Sequence, residues 1–155
     1  MTPNDLFAAA PELMKKWTAA SLAIASSLEP ALVRLVELRA SQINGCANCI
    51  NMHAQDARAN GETEQRIYLL SAWREAPCYT DRERAALAWT EALTRLSEGY
   101  ARGSAYETLQ AQFSEQEQVK LTLMVNVING WNRIAVGFGM FTDAAEAKST
   151  AQAAA

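Results

Sequence analysis

Two short signals, Thr80-Asp81-Arg82-Glu83 and Ser114-Glu115-Gln116-Glu117, do most to limit what this chain can fold into. Each sets a hydroxyl side chain three residues before a glutamate, so that side chains and backbone satisfy one another's orphan groups at a helix start. Pro30 after Glu29 is a third start signal, because proline fits the first helical turn. Apolar residues recur at helical spacing and convincing strand alternation is missing. The expectation is an all-α, compact single-domain bundle of about six to eight helices.

Element by element, a short turn is expected over 6–10 and a helix over 11–28 that packs through Leu13, Trp17, Ala20, Leu22 and Ile24. A helix over 30–42 presents Leu32, Leu35, Val36 and Leu38, and another runs from Asn44 or Gly45 to about Asn60, where Asn60-Gly61 reads as a stop. Further helices are expected over 62–73, from Thr80 towards Gly99, from Gly103-Ser104 to Phe113, and along the chain after Ser114. No linker divides the chain, so residues 1–143 read as one domain. Residues 144–155 are alanine-rich without large apolar anchors and read as a frayed or disordered tail. The tripeptide Ile-Asn-Gly occurs at 43–45 and 128–130, too short a match to establish duplication.

At 155 residues, the chain can bury roughly 70% of its unfolded surface without disulfide staples. A net charge of −3 supplies no basic stripe, which argues against a nucleic-acid partner. The N-terminal residues Met1-Thr2-Pro3-Asn4-Asp5 lack the pattern of a signal peptide. The apolar stretch 121–141 is interrupted by Asn126, Asn129, Asn132 and Arg133, which disqualifies it as a membrane span. A cytoplasmic protein is expected, with no lipid partner. In such a compartment three cysteines point to catalysis or metal binding more often than to cross-links.

Chemistry concentrates at Cys46-Ala47-Asn48-Cys49 and His53, the single histidine. Positions 46, 49 and 53 share one helix face, which sets a proton acceptor beside a dithiol able to close a small disulfide. With Asn44 as N-cap and Gly45 as a flexible entry, both cysteines fall in the first turn, where the helix dipole favours thiolate. A thiolate here can attack a peroxide oxygen, and the resulting sulfenic acid can condense with the second thiol. Cys49 is the expected attacker because His53 lies nearest to it, with Cys46 as resolver; the reverse order stays open, since thioredoxin-type sites use the first cysteine. A zinc site completed by His53 and Cys78 is the competing reading, although Cys78 lacks a partner at knuckle spacing. Ile50 after the second cysteine rules out haem attachment, and no strand precedes the motif as a thioredoxin fold requires. Cys78 reads as a packing residue.

The stretch Leu38-Arg39-Ala40-Ser41-Gln42-Ile43-Asn44-Gly45, continued by Cys46-Ala47-Asn48-Cys49-Ile50-Asn51-Met52-His53, resembles the AhpD-like alkylhydroperoxidase branch of the carboxymuconolactone decarboxylase family. The resemblance extends through Gly61 to Arg66, Trp73 to Pro77 and Glu83 to Thr94, and reaches Asn129 to Arg133. It implies an AhpD-like helical fold and a thiol-dependent peroxidase with peroxiredoxin-type antioxidant activity. By the same resemblance Cys49 reacts with peroxide, Cys46 resolves and His53 relays protons. It also implies a homo-oligomer, as a trimer or a hexamer built as a trimer of dimers. The redox-active Cys46–Cys49 disulfide would need no bound cofactor or metal, only an external dithiol or thioredoxin-like reductant and a hydroperoxide substrate.

Two departures stand out. The family commonly places a relay glutamate twelve residues before the first cysteine, where this chain has Arg34, with Glu37 one turn later. An exposed Arg34–Glu37 ion pair is slightly the preferred reading of that exchange; Glu37 serving the relay through water, or Arg34 stabilising the thiolate directly, stays open. Asn48 replaces a histidine found between the cysteines of the founding motif. The 125–138 segment with Trp131 reads as core in preference to a wall of the site or a subunit interface, and Met14, Met52, Met124 and Met140 read as gap fillers. Besides peroxide reduction, lactone decarboxylation with both cysteines as spectators and a zinc-stabilised or non-catalytic helical assembly remain open.

Overall fold

In a computed structural model, residues 3–99 and 103–141 are described. Helices α1 (Pro3–Ala9), α2 (Pro11–Ala25), α3 (Pro30–Asn44), α4 (Ala47–Ala59), α5 (Glu64–Leu69), α6 (Asp81–Thr94), α7 (Ser104–Gln112) and α8 (Glu115–Gly137) follow in order. Short 3₁₀ turns lie at Leu70–Ala72 and Leu96–Glu98. The described residues contain no strand, so the all-α expectation holds. No described helix is long and apolar enough to cross a membrane. The 144–155 tail lies outside the described residues.

Both capping boxes form as the sequence predicts: the Thr80 hydroxyl accepts from the Glu83 N–H at 3.2 Å, and Ser114 does the same for Glu117. Pro30 occupies the first turn of α3. These features depend on residues three apart or fewer, which is why they can be read without tertiary information.

α3 is the central element and packs against α4, α6 and α8. One face buries Leu32, Val33, Val36 and Ala40 against Ala86 and Trp89 of α6 and Met124, Val125 and Ile128 of α8. Its other face carries Leu35 and Leu38 into a second cluster with Ala57, Ile67, Leu70 and Leu87. Helical spacing along α3 therefore serves two cores at once.

α2 corrects the expected packing. Leu13 and Leu22 are exposed, as is Ala20, while Met14 and Ser21 are buried and Trp17 and Ile24 pack on the core. The buried stripe runs 14, 17, 21, 24, because α2 leans on α8 along a single seam. The two Ile-Asn-Gly tripeptides also prove unlike. Gly45 ends α3 in a left-handed conformation, whereas Gly130 lies within α8, where an added Cβ would come 2.7 Å from the Trp17 ring.

The end of α3 is fixed to α8 by a polar ladder. Asn44 Nδ2 donates to Asn129 Oδ1 at 2.9 Å and to Asn132 Oδ1 at 2.8 Å, and Asn132 Nδ2 donates to Ser41 Oγ at 3.0 Å. Of the asparagines that interrupt the apolar run, Asn126 faces outward, whereas Asn129 and Asn132 thus find partners in the interior, as buried polar groups must. They hold in place the residues that lead into the cysteine motif.

Candidate active site

The turn from α3 into α4 is built on Gly45, at φ +64°. Its N–H donates to Gln42 O, and the N–H of Cys46 reaches back to Ser41 O at 3.1 Å, closing α3 with a Schellman-type cap. This corrects the expected helix start: Asn44 is the last residue of α3, and Cys46 itself is the N-cap of α4. Its sulfur accepts from the Cys49 N–H at 3.3 Å. An added Cβ at Gly45 would meet nothing within 4 Å, so Gly45→Ala carries only a backbone cost. Chemical denaturation is expected to show a loss of about 1–2 kcal/mol, the cost of a left-handed L-residue.

Cys46 and Cys49 are joined as a disulfide, with Cα atoms 5.3 Å apart. They are 1% and 2% exposed and pack against Ala135 of α8 and Met140. Cys49 sits in the first turn of α4, where unpaired amides and the dipole favour a sulfur anion once the bond is reduced. His53, 8% exposed, follows one turn later on the same helix.

Glu37 reaches across from α3, placing Oε2 at 3.2 Å from Nδ1 of His53. A carboxylate beside Nδ1 favours the proton on that nitrogen and leaves Nε2 to exchange protons elsewhere. The expected Arg34–Glu37 pair is therefore overturned: Glu37 turns inward to the histidine, and Arg34 makes no hydrogen bond or ion pair among the described residues. The reason is tertiary, because α4 packs on α3 and brings a buried imidazole to the carboxylate.

Glu37, Cys49 and His53 border a cavity of about 440 Å³. Its remaining wall is largely apolar and comes from α2, which sequence reasoning did not connect to the motif, and from α8, which it preferred to read as core. α2 contributes Leu22 and Ala25, and α8 contributes Met124, Val127, Ile128 and Trp131. Met52 and Met140, expected to fill gaps, also line it, as does Met124. The signal was present in the apolar helical face of α8, but core and cavity wall share the same pattern.

Cys78 lies apart, partly buried against the second core cluster. No group of three or more histidine, cysteine or acidic side chains able to hold a metal occurs among the described residues. The three motif residues meet in one place, and Glu37 joins them.

The family model for the carboxymuconolactone decarboxylase family matches residues 11–92. An uncharacterised Bacillus subtilis protein, YdfG, is 43% identical over 114 residues, covering 74% of this chain and 78% of its own. A crystal structure from Agrobacterium tumefaciens, of a protein of unknown function suggested to be the antioxidant defence protein AhpD, superposes with a TM-score of 0.84 at 46% identity. That match covers 89% of this chain and 97% of the other. A peroxidase-related protein from Silicibacter, at 23% identity and TM-score 0.78 over 91% of this chain and 75% of its own, shares the fold. With a family match over more than half its length and the same helical architecture, this chain belongs to the carboxymuconolactone decarboxylase family, as an AhpD-like member.

Proposed function

We propose that the protein is a thiol-dependent hydroperoxide reductase, with Cys49 as attacking sulfur, Cys46 as resolving sulfur and His53 as proton carrier held by Glu37. The observation that carries this reading is the shared wall: Cys49, His53 and Glu37 border the same apolar cavity. In the reduced protein the Cys49 thiolate attacks the hydroperoxide oxygen, a sulfur–oxygen bond forms and the oxygen–oxygen bond breaks. The departing alkoxide takes a proton from His53 and leaves as an alcohol. Cys49 is then a sulfenic acid, which the Cys46 thiolate attacks; hydroxide leaves, is protonated to water, and the disulfide closes. Two electrons have passed from the thiols to the peroxide. An external dithiol or thioredoxin-like protein returns them, and a homo-oligomer is the proposed working form.

The test is consumption of cumene hydroperoxide by the reduced protein with dithiothreitol as donor. Cys46→Ser/Cys49→Ser is expected to fall to the buffer rate. Undiminished consumption by that variant would overturn the reading and return attention to family chemistry in which both cysteines are spectators.

The relay makes a second prediction. His53→Gln is expected to slow Cys49 oxidation by about 10²-fold or more, since a positioned acid–base group supplies about 10²–10⁴ in rate. Glu37→Gln is expected to slow it by about tenfold, because the ring keeps a neighbour but loses the carboxylate. Stopped-flow oxidation across pH separates this from a packing role, because loss of the carboxylate alters the shape of the pH–rate profile.

A further inference from the structure

The disulfide stands between two separate spaces. Cys49 borders the inner apolar cavity, whereas Cys46 borders a smaller outer cleft of about 190 Å³. Asn48, Ala135 and Met140 line both and form the partition between them. Val136, 56% exposed, and Phe141, 48% exposed, stand at the outer cleft, and Leu22, 66% exposed, and Met52, 53% exposed, at the separate mouth of the apolar cavity. His53 and Glu37 face only the inner space.

We infer that reduction proceeds from the outer cleft: an external dithiol attacks Sγ of Cys46, on the opposite side of the partition from the peroxide. This rests on the redox reading above and adds the direction in which electrons enter. A thiolate in the outer cleft meets a wall that Cys46 borders and Cys49 does not. A bond forms between the reductant and Cys46 as the Cys46–Cys49 bond breaks, and the electron pair leaves on Cys49. That leaving sulfur borders the same cavity as His53, which lies one turn on along α4 and supplies its proton. The reductant's second thiolate then attacks its own sulfur in the mixed disulfide and releases Cys46 as a thiolate. The dithiol becomes a disulfide, and two electrons have entered the protein. Attack at Cys49 would instead send the reductant into the apolar cavity and leave the departing charge on Cys46, which does not border the space that His53 faces. With separate entrances, reductant and peroxide need not compete for one opening.

The test loads one sulfur at a time. Cys49→Ser/Cys78→Ser and Cys46→Ser/Cys78→Ser are each converted to the mixed disulfide with 2-nitro-5-thiobenzoate, and release of that coloured thiol by dithiothreitol is timed. Release from Cys46 is expected to be at least tenfold faster than from Cys49. Equal rates, or faster release from Cys49, would overturn the inference. A second arm keeps both cysteines and guards against misfolding of the serine variants. The disulfide is formed with diamide and reduced with dithiothreitol in Val136→Trp, on the outer cleft, and Leu22→Trp, on the inner cavity. Val136→Trp is expected to slow reduction at least tenfold and Leu22→Trp less than twofold, and the opposite order would overturn the inference. Neither arm uses peroxide, so a failure of the peroxidase reading and a failure of this one give different results.

Discussion

Cys49→Ser is expected to bring peroxide consumption down to the uncatalysed rate, a loss on the order of 10³-fold or more, because the attacking atom itself is gone. Cys46→Ser should behave differently. Its first encounter with peroxide still oxidises Cys49, but no second thiol is present to close the disulfide, so turnover stops after one event and the sulfenic acid remains open to overoxidation. The contrast is interpretable because Cys46 is an N-cap and serine is a favoured residue there. Helix α4 should keep its start in that variant. Stopped-flow measurement of the first turnover, beside the steady-state rate, distinguishes the two roles; loss of the first turnover in Cys46→Ser with its retention in Cys49→Ser would exchange them.

The second large effect is expected away from the sulfurs, at Glu91. This buried carboxylate on α6 accepts from Arg39 Nε of α3 and from Trp73 Nε1, each at 2.8 Å, and from Arg74 Nη1 at 2.5 Å. Arg39 is itself buried, 8% exposed. Glu91→Ala would leave that guanidinium in the interior without its anion, a loss of about 3–5 kcal/mol when one partner of a buried pair is removed. α3 would loosen where it carries Glu37 and leads into Gly45. Urea denaturation of the variant checks the magnitude, and a loss below about 1 kcal/mol, the scale of an exposed pair, would contradict it.

Glu91 also predicts acid lability. Burial pushes its carboxyl up, but the donors on Trp73, Arg74 and Arg39 outweigh that and hold it below the ordinary value of 4.5. A carboxylate depressed in the folded state contributes stability above the unfolded value, and that stability is lost as pH falls through the lower folded one. Wild-type stability should therefore decline below about pH 4.5, and Glu91→Gln should show a shallower decline.

What the sequence revealed was mostly local. Thr80 with Glu83, Ser114 with Glu117, and Pro30 announce their helices because both halves of each signal lie within one turn. Cys46, Cys49 and His53 could be joined for the same reason. The misreadings came from tertiary context. Asn44-Gly45 fits a helix start as well as a helix end, and only the left-handed Gly45 with its backbone bonds to Gln42 and Ser41 decides for the end. Arg34 and Glu37 look like partners one turn apart until α4 brings His53 against α3. On α2, the expected contacts at 13, 17, 20, 22 and 24 and the observed stripe at 14, 17, 21, 24 share Trp17 and Ile24, and the seam with α8 selects between them. The cavity was the least legible feature. Trp131, Ile128 and Met124 carry the same apolar spacing whether they meet other side chains or enclose a space.

The most direct measurement is thiol titration with mass analysis of the fully reduced protein before and after one equivalent of an organic hydroperoxide. Two of the three thiols should disappear with no oxygen added to the protein, and peptide mapping should find Cys46 linked to Cys49 with Cys78 free. Oxygen retained on one cysteine while Cys46 stays a free thiol would contradict the paired-sulfur cycle.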